Sequence, residues 1–187
     1  CNDNTEFPSK LDFIPWSEAN KKMHADIYFF LSNVKSKKHL LIRDYFEHSS
    51  KWNIFVNKKK FFEDFRFDNE ERIFNSYSKA RLTIHHVLTT TWLETLGMNI
   101  PTICFYDENS YLFNQEAEKE IDFLKEVGVL HTRVENAVDF FNKVESSLED
   151  WWFSKNVQIA RKKFNHKFAL FDKEWAKSWE KLFLSIL

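Results

Sequence analysis

Glycine is almost missing from this 187-residue chain: Gly97 and Gly128 are the only two. A Walker loop and a G-x-G-x-x-G fingerprint each need several glycines at fixed spacing, so both are excluded. Any phosphate site must be built from hydroxyls, helix starts and cationic side chains. The two cysteines, Cys1 and Cys104, form neither a disulfide framework nor a zinc-ligand spacing. No apolar run approaches the ~20 residues of a membrane span, and no signal peptide is visible. Neither sign of charge dominates: 27 basic and 28 acidic residues leave a net charge of −1, which gives no reason to expect nucleic acid as a partner. The basic runs Lys58-Lys59-Lys60 and Arg161-Lys162-Lys163 read as solvated faces. No Asp-x-Asp metal motif is present, so no metal or cofactor is expected.

Strand and helix signals alternate through most of the chain. Residues 1–16 are irregular around Pro8 and Pro15, and Ser17–Val34 reads as a helix with Met23, Ile27, Phe30 and Leu31 near one face. Leu40-Leu41-Ile42 is a short strand ending on Arg43-Asp44, and Ile54-Phe55-Val56 is a second candidate. Asp68 or Asn69 is placed to cap a helix running to Ser78, with Ile73, Phe74 and Tyr77 inward. Further on, Gln115–Val127 is a helix stopped by Gly128, Val129-Leu130 a minimal strand, and Arg133–Leu148 a helix. Alternation of this kind implies a parallel sheet. From Trp151 onward the strand signal stops. Phe164, Phe168, Phe171, Trp175, Trp179 and Phe183 recur at three- and four-residue spacing, an aromatic stripe on helix that reads first as packing. The expected division is an α/β domain over 1–150 and aromatic-rich helices over 151–187.

The most informative stretch is 80–106. Leu82-Thr83-Ile84-His85 suits a buried strand, Thr89-Thr90-Thr91 falls where a helix begins, and Thr102–Tyr106 is a second apolar strand after Pro101. A helix start carries unpaired N–H groups and partial positive charge, and hydroxyls beside it add donors suited to phosphate. The local alternative is a capping box, Thr91-Trp92-Leu93-Glu94, in which both ends only satisfy the helix. His85, ending its strand, faces the ligand side of an open α/β sheet or binds backbone. Arg43 suits a phosphate or carboxylate, or pairs with Asp44 or another acid. Asp107 and Glu108 follow the second strand on the same side. Cys104 reads as a buried thiol.

This stretch also resembles bacterial transferases encoded in O-antigen and other surface-carbohydrate gene clusters, which are similar to glycosyltransferases of the two-Rossmann-domain (GT-B) type. The matching residues are Ala80-Arg81-Leu82, His85, Thr90-Thr91, Leu93-Glu94-Thr95-Leu96 and Asn99–Phe105, with looser agreement through Leu124–His131, Trp151-Trp152 and Val157–Phe164. The likeness covers 38–187. Thr89 stands where the family has serine, keeping the hydroxyl, and His86, Val87 and Leu88 replace small polar or aromatic residues. The resemblance implies a Rossmann-like parallel sheet flanked by helices, the C-terminal half of a GT-B fold, with a C-terminal helical extension. It implies that Thr89, Thr90 and Thr91, with His85 and Arg43, meet the phosphate of a nucleotide sugar, and that Glu94 meets the ribose. The partners implied are that donor, a glycan or lipid-linked acceptor and a preceding domain missing from this chain. The location implied is the cytoplasm, at the inner face of the membrane. Half a site would be inactive alone. The catalytic base is not identifiable. Two other readings stay open: a non-catalytic interaction module whose aromatic helices dock a partner, and half of a nucleotide-sugar epimerase, since fold does not fix function.

Overall fold

A computed structural model describes residues 18–43, 63, 65–170 and 174–186. The expected strand at Ile54–Val56, the run Lys58–Lys60, Asp44 and Phe171 lie outside these residues. The chain is α/β, with parallel strands in two small sheets flanked by helices.

The larger sheet has the order β3-β4-β5, made of Thr83–His85, Thr102–Phe105 and Leu130–His131. Its register pairs Ile84 with Ile103 and Cys104 with Leu130. The central strand β4 is buried along its whole length. A strand covered on both faces reads as a continuous apolar run, as Thr102-Ile103-Cys104-Phe105 does. Its side chains divide between two cores by the period of two. Ile103 and Phe105 enter one; Cys104 and the following Tyr106 enter the other.

The first core lies under α1 (Glu18–Asn33) and α5 (Val134–Val144). Ile27, Phe30, Leu31 and Val34 follow the i, i+3, i+4, i+7 spacing of a helix stripe. Phe30 stacks on Phe105 with ring centroids 5.2 Å apart and meets Phe141 edge-on at 5.9 Å. The second core lies under α3 (Thr90–Gly97), α4 (Gln115–Glu126), α6 (Leu148–Trp152) and α7 (Lys155–Phe168). Trp152 is fully buried there, and Trp92 packs on Phe164 at 5.2 Å.

The smaller sheet pairs β1 (Leu41–Ile42) with β2 (Arg66–Phe67), also in parallel. Leu40–Ile42 was expected in one sheet with the strand at Leu82–His85; its partner is β2 instead. Between the sheets, α2 (Ile73–Lys79) starts later than its expected cap. Asp68 is committed elsewhere, so Arg72 occupies the N-cap position without a side-chain bond. Tyr77 is buried as expected, but Phe74 is exposed. The last helix, α8 (Trp175–Ile186), carries Trp175, Trp179, Leu182, Phe183 and Ile186 on one arc, all exposed, with Trp179 stacked on Phe183 at 5.5 Å. No helix among the described residues is long and apolar enough to cross a membrane.

Two polar residues on the buried side of α7 fix its neighbour. Arg161 Nη1 and Asn165 Nδ2 both donate to the Leu96 carbonyl near the end of α3, each at 2.9 Å. Arg161 was expected on a solvated face with Lys162 and Lys163; those two are exposed, but Arg161 is 8% exposed. The acceptor that draws it inward is 65 positions away in sequence. Beyond Leu96 the chain reverses at Asn99, whose φ of 60° is left-handed. Asparagine tolerates that region better than most side chains. The Asn99 side chain is held by Trp152 Nε1 at 3.1 Å and Gln158 Nε2 at 3.1 Å.

Gly128 ends α4 as expected, with φ +80°. Val129 N donates back to Leu124 O at 2.9 Å and Gly128 N to Lys125 O at 3.0 Å, the pairing of a left-handed C-terminal turn. A Cβ here would stand 2.2 Å from the Phe140 ring. That ring cannot retreat freely, because His131 and Trp151 flank it at 5.2 Å each.

Two stability outcomes follow from this packing. Gly128→Ala combines a left-handed φ with overpacking and lowers stability by roughly 2–4 kcal/mol. Adding Phe140→Leu recovers only the steric part. Arg161→Ala leaves a buried carbonyl short of a charged donor and costs about 2–3 kcal/mol. Lys167→Ala, which breaks exposed ion pairs with Glu116 and Glu120, leaves the unfolding midpoint nearly unchanged. Denaturant titration followed by circular dichroism measures all four. An Arg161→Ala protein as stable as wild type would contradict the clamp.

Candidate functional site

The parallel strands point their carboxyl ends one way, so the loops after β3, β4 and β5 share one rim. After β3 the chain passes His86-Val87-Leu88 and enters α3. Thr89 is the N-cap residue, extended at φ −119°, ψ −175°, and its side chain makes no capping bond. Its hydroxyl meets that of Thr91 at 3.3 Å instead. Thr89 and Thr90 are exposed and Thr91 is half-buried. The amides that open α3 thus keep no side-chain partner from the N-cap. By contrast α4 is capped by Asn114, which accepts from Ala117 N at 2.8 Å.

The capping box does not form. It needs Thr91 at the N-cap and Glu94 three residues later, but the helix begins at Thr90, which puts Glu94 in the second turn. Glu94 Oε2 instead accepts from the Tyr77 hydroxyl at 3.1 Å. The same hydroxyl lies 3.5 Å from the Thr91 carbonyl. Burial, and next the charge of Glu94, push the Tyr77 phenol far above its ordinary value, so it keeps its proton and donates.

His85 sits beneath α3. Its Nε2 is 3.2 Å from Thr95 Oγ1, and the Thr95 hydroxyl donates to Trp92 O at 3.0 Å. With that proton committed, Thr95 Oγ1 accepts, so His85 carries its hydrogen on Nε2. Burial, then the neighbouring His86, pushes His85 down to about 4. His86 leaves the strand on the other side, toward His24 of α1. Burial and His24 push it down to about 4 as well. Both imidazoles are neutral at pH 7.

Arg43 follows β1, and its Nη1 reaches Asp68 Oδ2 at 2.7 Å, Glu70 O at 2.8 Å and Ser76 Oγ at 3.1 Å. Its carboxylate partner is therefore Asp68, 25 positions on. Burial works to raise the Asp68 carboxyl, but hydrogen bonds from Ser76 and Arg43 prevail and hold it below the usual range. Arg43 and Tyr77 come near one another across α2. The structure thus places Arg43 and Ser76 in one polar cluster around Asp68 and Tyr77, Glu94 and the Thr91 carbonyl in another, while His85 joins α3 separately through Thr95.

A cavity of about 270 Å³ opens at the same rim, over the ends of β4 and β5. Lys22 and Asp26 of α1, Asp107 to Asn109 after β4, and Thr132 to Glu135 at the start of α5 line it. Lys22 bonds Asp26 at 2.8 Å and approaches Asp107 at 3.9 Å. The loop after β4 borders both regions, because the Tyr111 hydroxyl accepts from Leu88 N at 3.0 Å. Among the described residues no cluster of His, Cys, Asp and Glu is arranged to hold a metal. Cys104 is buried, and burial raises its thiol well above the ordinary value.

Sequence reading missed Tyr77 as a site residue, and Lys22 and Arg133 as rim residues. The rim pair had a usable signal: Arg133 stands two residues past the minimal strand that ends at His131, and Lys22 precedes Asp26 by one helical turn. Tyr77 had none, since its partner Glu94 is 17 positions away.

The two depressed histidines give stability a definite pH dependence. Unfolded, each imidazole titrates near 6.5; folded, each resists protonation until about 4. The unfolded state therefore binds more protons between these values. Stability is full above pH 6.5 and falls as pH drops toward 4. The loss is on the order of 2–3 kcal/mol per imidazole. Thermal melts from pH 7 to 4.5 should show the decline, and His85→Gln with His86→Gln should flatten it. A wild-type melting temperature constant across that range would contradict the burial of both rings.

No curated protein and no solved structure matches this chain. A family profile does: that of the LIC12162 family transferases, over residues 4–183. With nearly its whole length matched, the chain belongs to the LIC12162 family of transferases.

Proposed function

We propose that this transferase chain is the donor-binding half of a GT-B-type glycosyltransferase, taking its sugar from a nucleotide sugar and passing it to a surface polysaccharide. One observation carries the reading: α3 begins at the carboxyl rim of a parallel sheet with Thr89, Thr90 and Thr91 together and no side-chain cap from Thr89. Such a helix start offers backbone donors, hydroxyls and a favourable dipole to a phosphate. The family's transferase character supports it further, as does the resemblance of residues 80–106 to O-antigen-cluster transferases. In this reading the threonines take the phosphate and Glu94 takes the ribose. His85 supports α3 from below, and Arg43 holds α2 through Asp68 and Ser76. The sugar lies toward the cavity beside Asp107 and Glu108, whose carboxylates accept from hydroxyls. Developing charge on the leaving phosphate is met by protein donors.

A second reading, an interaction module, is favoured by one feature: the exposed aromatic arc of α8.

Calorimetry with uridine and cytidine nucleotides separates the two. The expected result is weak but measurable binding. Thr90→Ala with Thr91→Ala weakens it by about tenfold or more, the equivalent of ~1.4 kcal/mol. A folded wild-type protein that binds no nucleotide would end the transferase-donor reading in favour of the interaction module.

A further inference from the structure

We propose that Tyr77 is a positioning residue of this donor site: its phenol orients the Glu94 carboxylate toward the ribose hydroxyls, so that α2 sets the preference for ribose over deoxyribose. The proposal rests on the nucleotide-binding reading above.

Glu94 stands one turn below Thr90 and Thr91 on α3, on their side of the helix, since residues three and four apart share a face. Its Oε2 is taken by Tyr77 at 3.1 Å; among the described residues Oε1 has no hydrogen-bond partner. A carboxylate accepts about four hydrogen bonds. One bond from Tyr77 fixes its plane and leaves acceptor sites for a vicinal diol. Without that bond the carboxylate turns freely about its side-chain torsions, and each contact to a ribose hydroxyl costs rotamer entropy.

Tyr77 is itself held firmly. It is 5% exposed, and Phe74 meets its ring edge-on at 5.8 Å. Its neighbour Ser76 donates to Asp68, which also accepts from Glu70 N at 3.0 Å and Arg43 at 2.7 Å. This cluster ties α2 to the segments that follow β1 and β2. The phenol stays protonated throughout the physiological range, so its role does not change with pH.

The simpler alternative is that Tyr77 and Glu94 only tie two helices together. Paired ligands distinguish them. Calorimetry on the full chain compares UMP with dUMP and CMP with dCMP, each pair differing only in the 2′ hydroxyl. Wild type should prefer the ribonucleotide by about tenfold, the scale of one charge-assisted hydrogen bond. Tyr77→Phe should bring the preference to within about twofold, weakening the ribonucleotide more than the deoxynucleotide, and Glu94→Gln should reduce it similarly. Ser76→Ala, which loosens α2 without touching the phenol, should give a partial loss. It also keeps the test alive if Tyr77→Phe does not fold. A Tyr77→Phe protein that melts lower but keeps the full ribose preference overturns the proposal and leaves the donor site standing. Absence of nucleotide binding by wild type removes the donor site itself, and this role with it.

Discussion

The Leu96 carbonyl is the point on which the arrangement turns. An eight-residue helix is too short to be stable by its own hydrogen bonds. α3 persists because its far end is seized: Leu96 O receives Arg161, Asn165 and the Asn99 amide. A guanidinium at a helix C-terminus also opposes the partial negative charge there. Asn99 then turns the chain into β4, held by Trp152 and Gln158. α6 and α7 are therefore structural parts of the site despite lying far along the chain. They hold one end of α3 in the core and leave the other at the rim.

The scarcity of glycine shapes the rest. A phosphate loop made of glycines wraps a ligand with backbone alone. This chain has only Gly97 and Gly128, and Gly128 is used to stop α4 against Phe140. The tight turn after α3 falls to Asn99. At the rim, side chains must do what flexible backbone does elsewhere. Hydroxyl groups stand at the α3 start and charged groups line the cavity over β4 and β5. Side-chain donors are more exacting than backbone amides, because each rotamer must be held by something behind it. For the acceptor Glu94 on α3, the Tyr77 hydroxyl is such a support.

Much of the fold was legible because it is written in local periodicity. α1, α4, α5 and the strand at Thr102–Phe105 lie within a few residues of their expected bounds, and Gly128 stops α4 as its position suggested. Misreadings came where a distant partner outweighed a local pattern. Thr91 and Glu94 have capping-box spacing, but Tyr77 claims the carboxylate. Asp68 has the right spacing to cap α2, but Arg43 and Ser76 claim it. Arg161 sits in a basic run, yet a carbonyl on another helix draws it inside. Local patterns show which bonds a residue is able to make; the fold decides which of them it makes. The positions of the candidate site residues followed the same rule: the threonine run was visible in sequence, and the supports behind it were not.

The exposed arc of α8 belongs to a different balance. Trp175, Trp179, Phe183 and Ile186 are all more than half exposed. At ~25 cal/mol per Å² of apolar area, leaving several such side chains in water forgoes several kcal/mol. A 12-residue helix gains little from its own hydrogen bonds. Burial of this face against another body would thus do for α8 what α7 does for α3. Under the transferase reading that body is the domain that closes over the donor, and its docking would also exclude water from the phosphate at α3, strengthening every charge contact there. Under the interaction reading the same burial would stabilise α8 and leave nucleotide affinity unmoved. The two readings therefore differ in whether covering the aromatic arc and filling the α3 rim are thermodynamically linked.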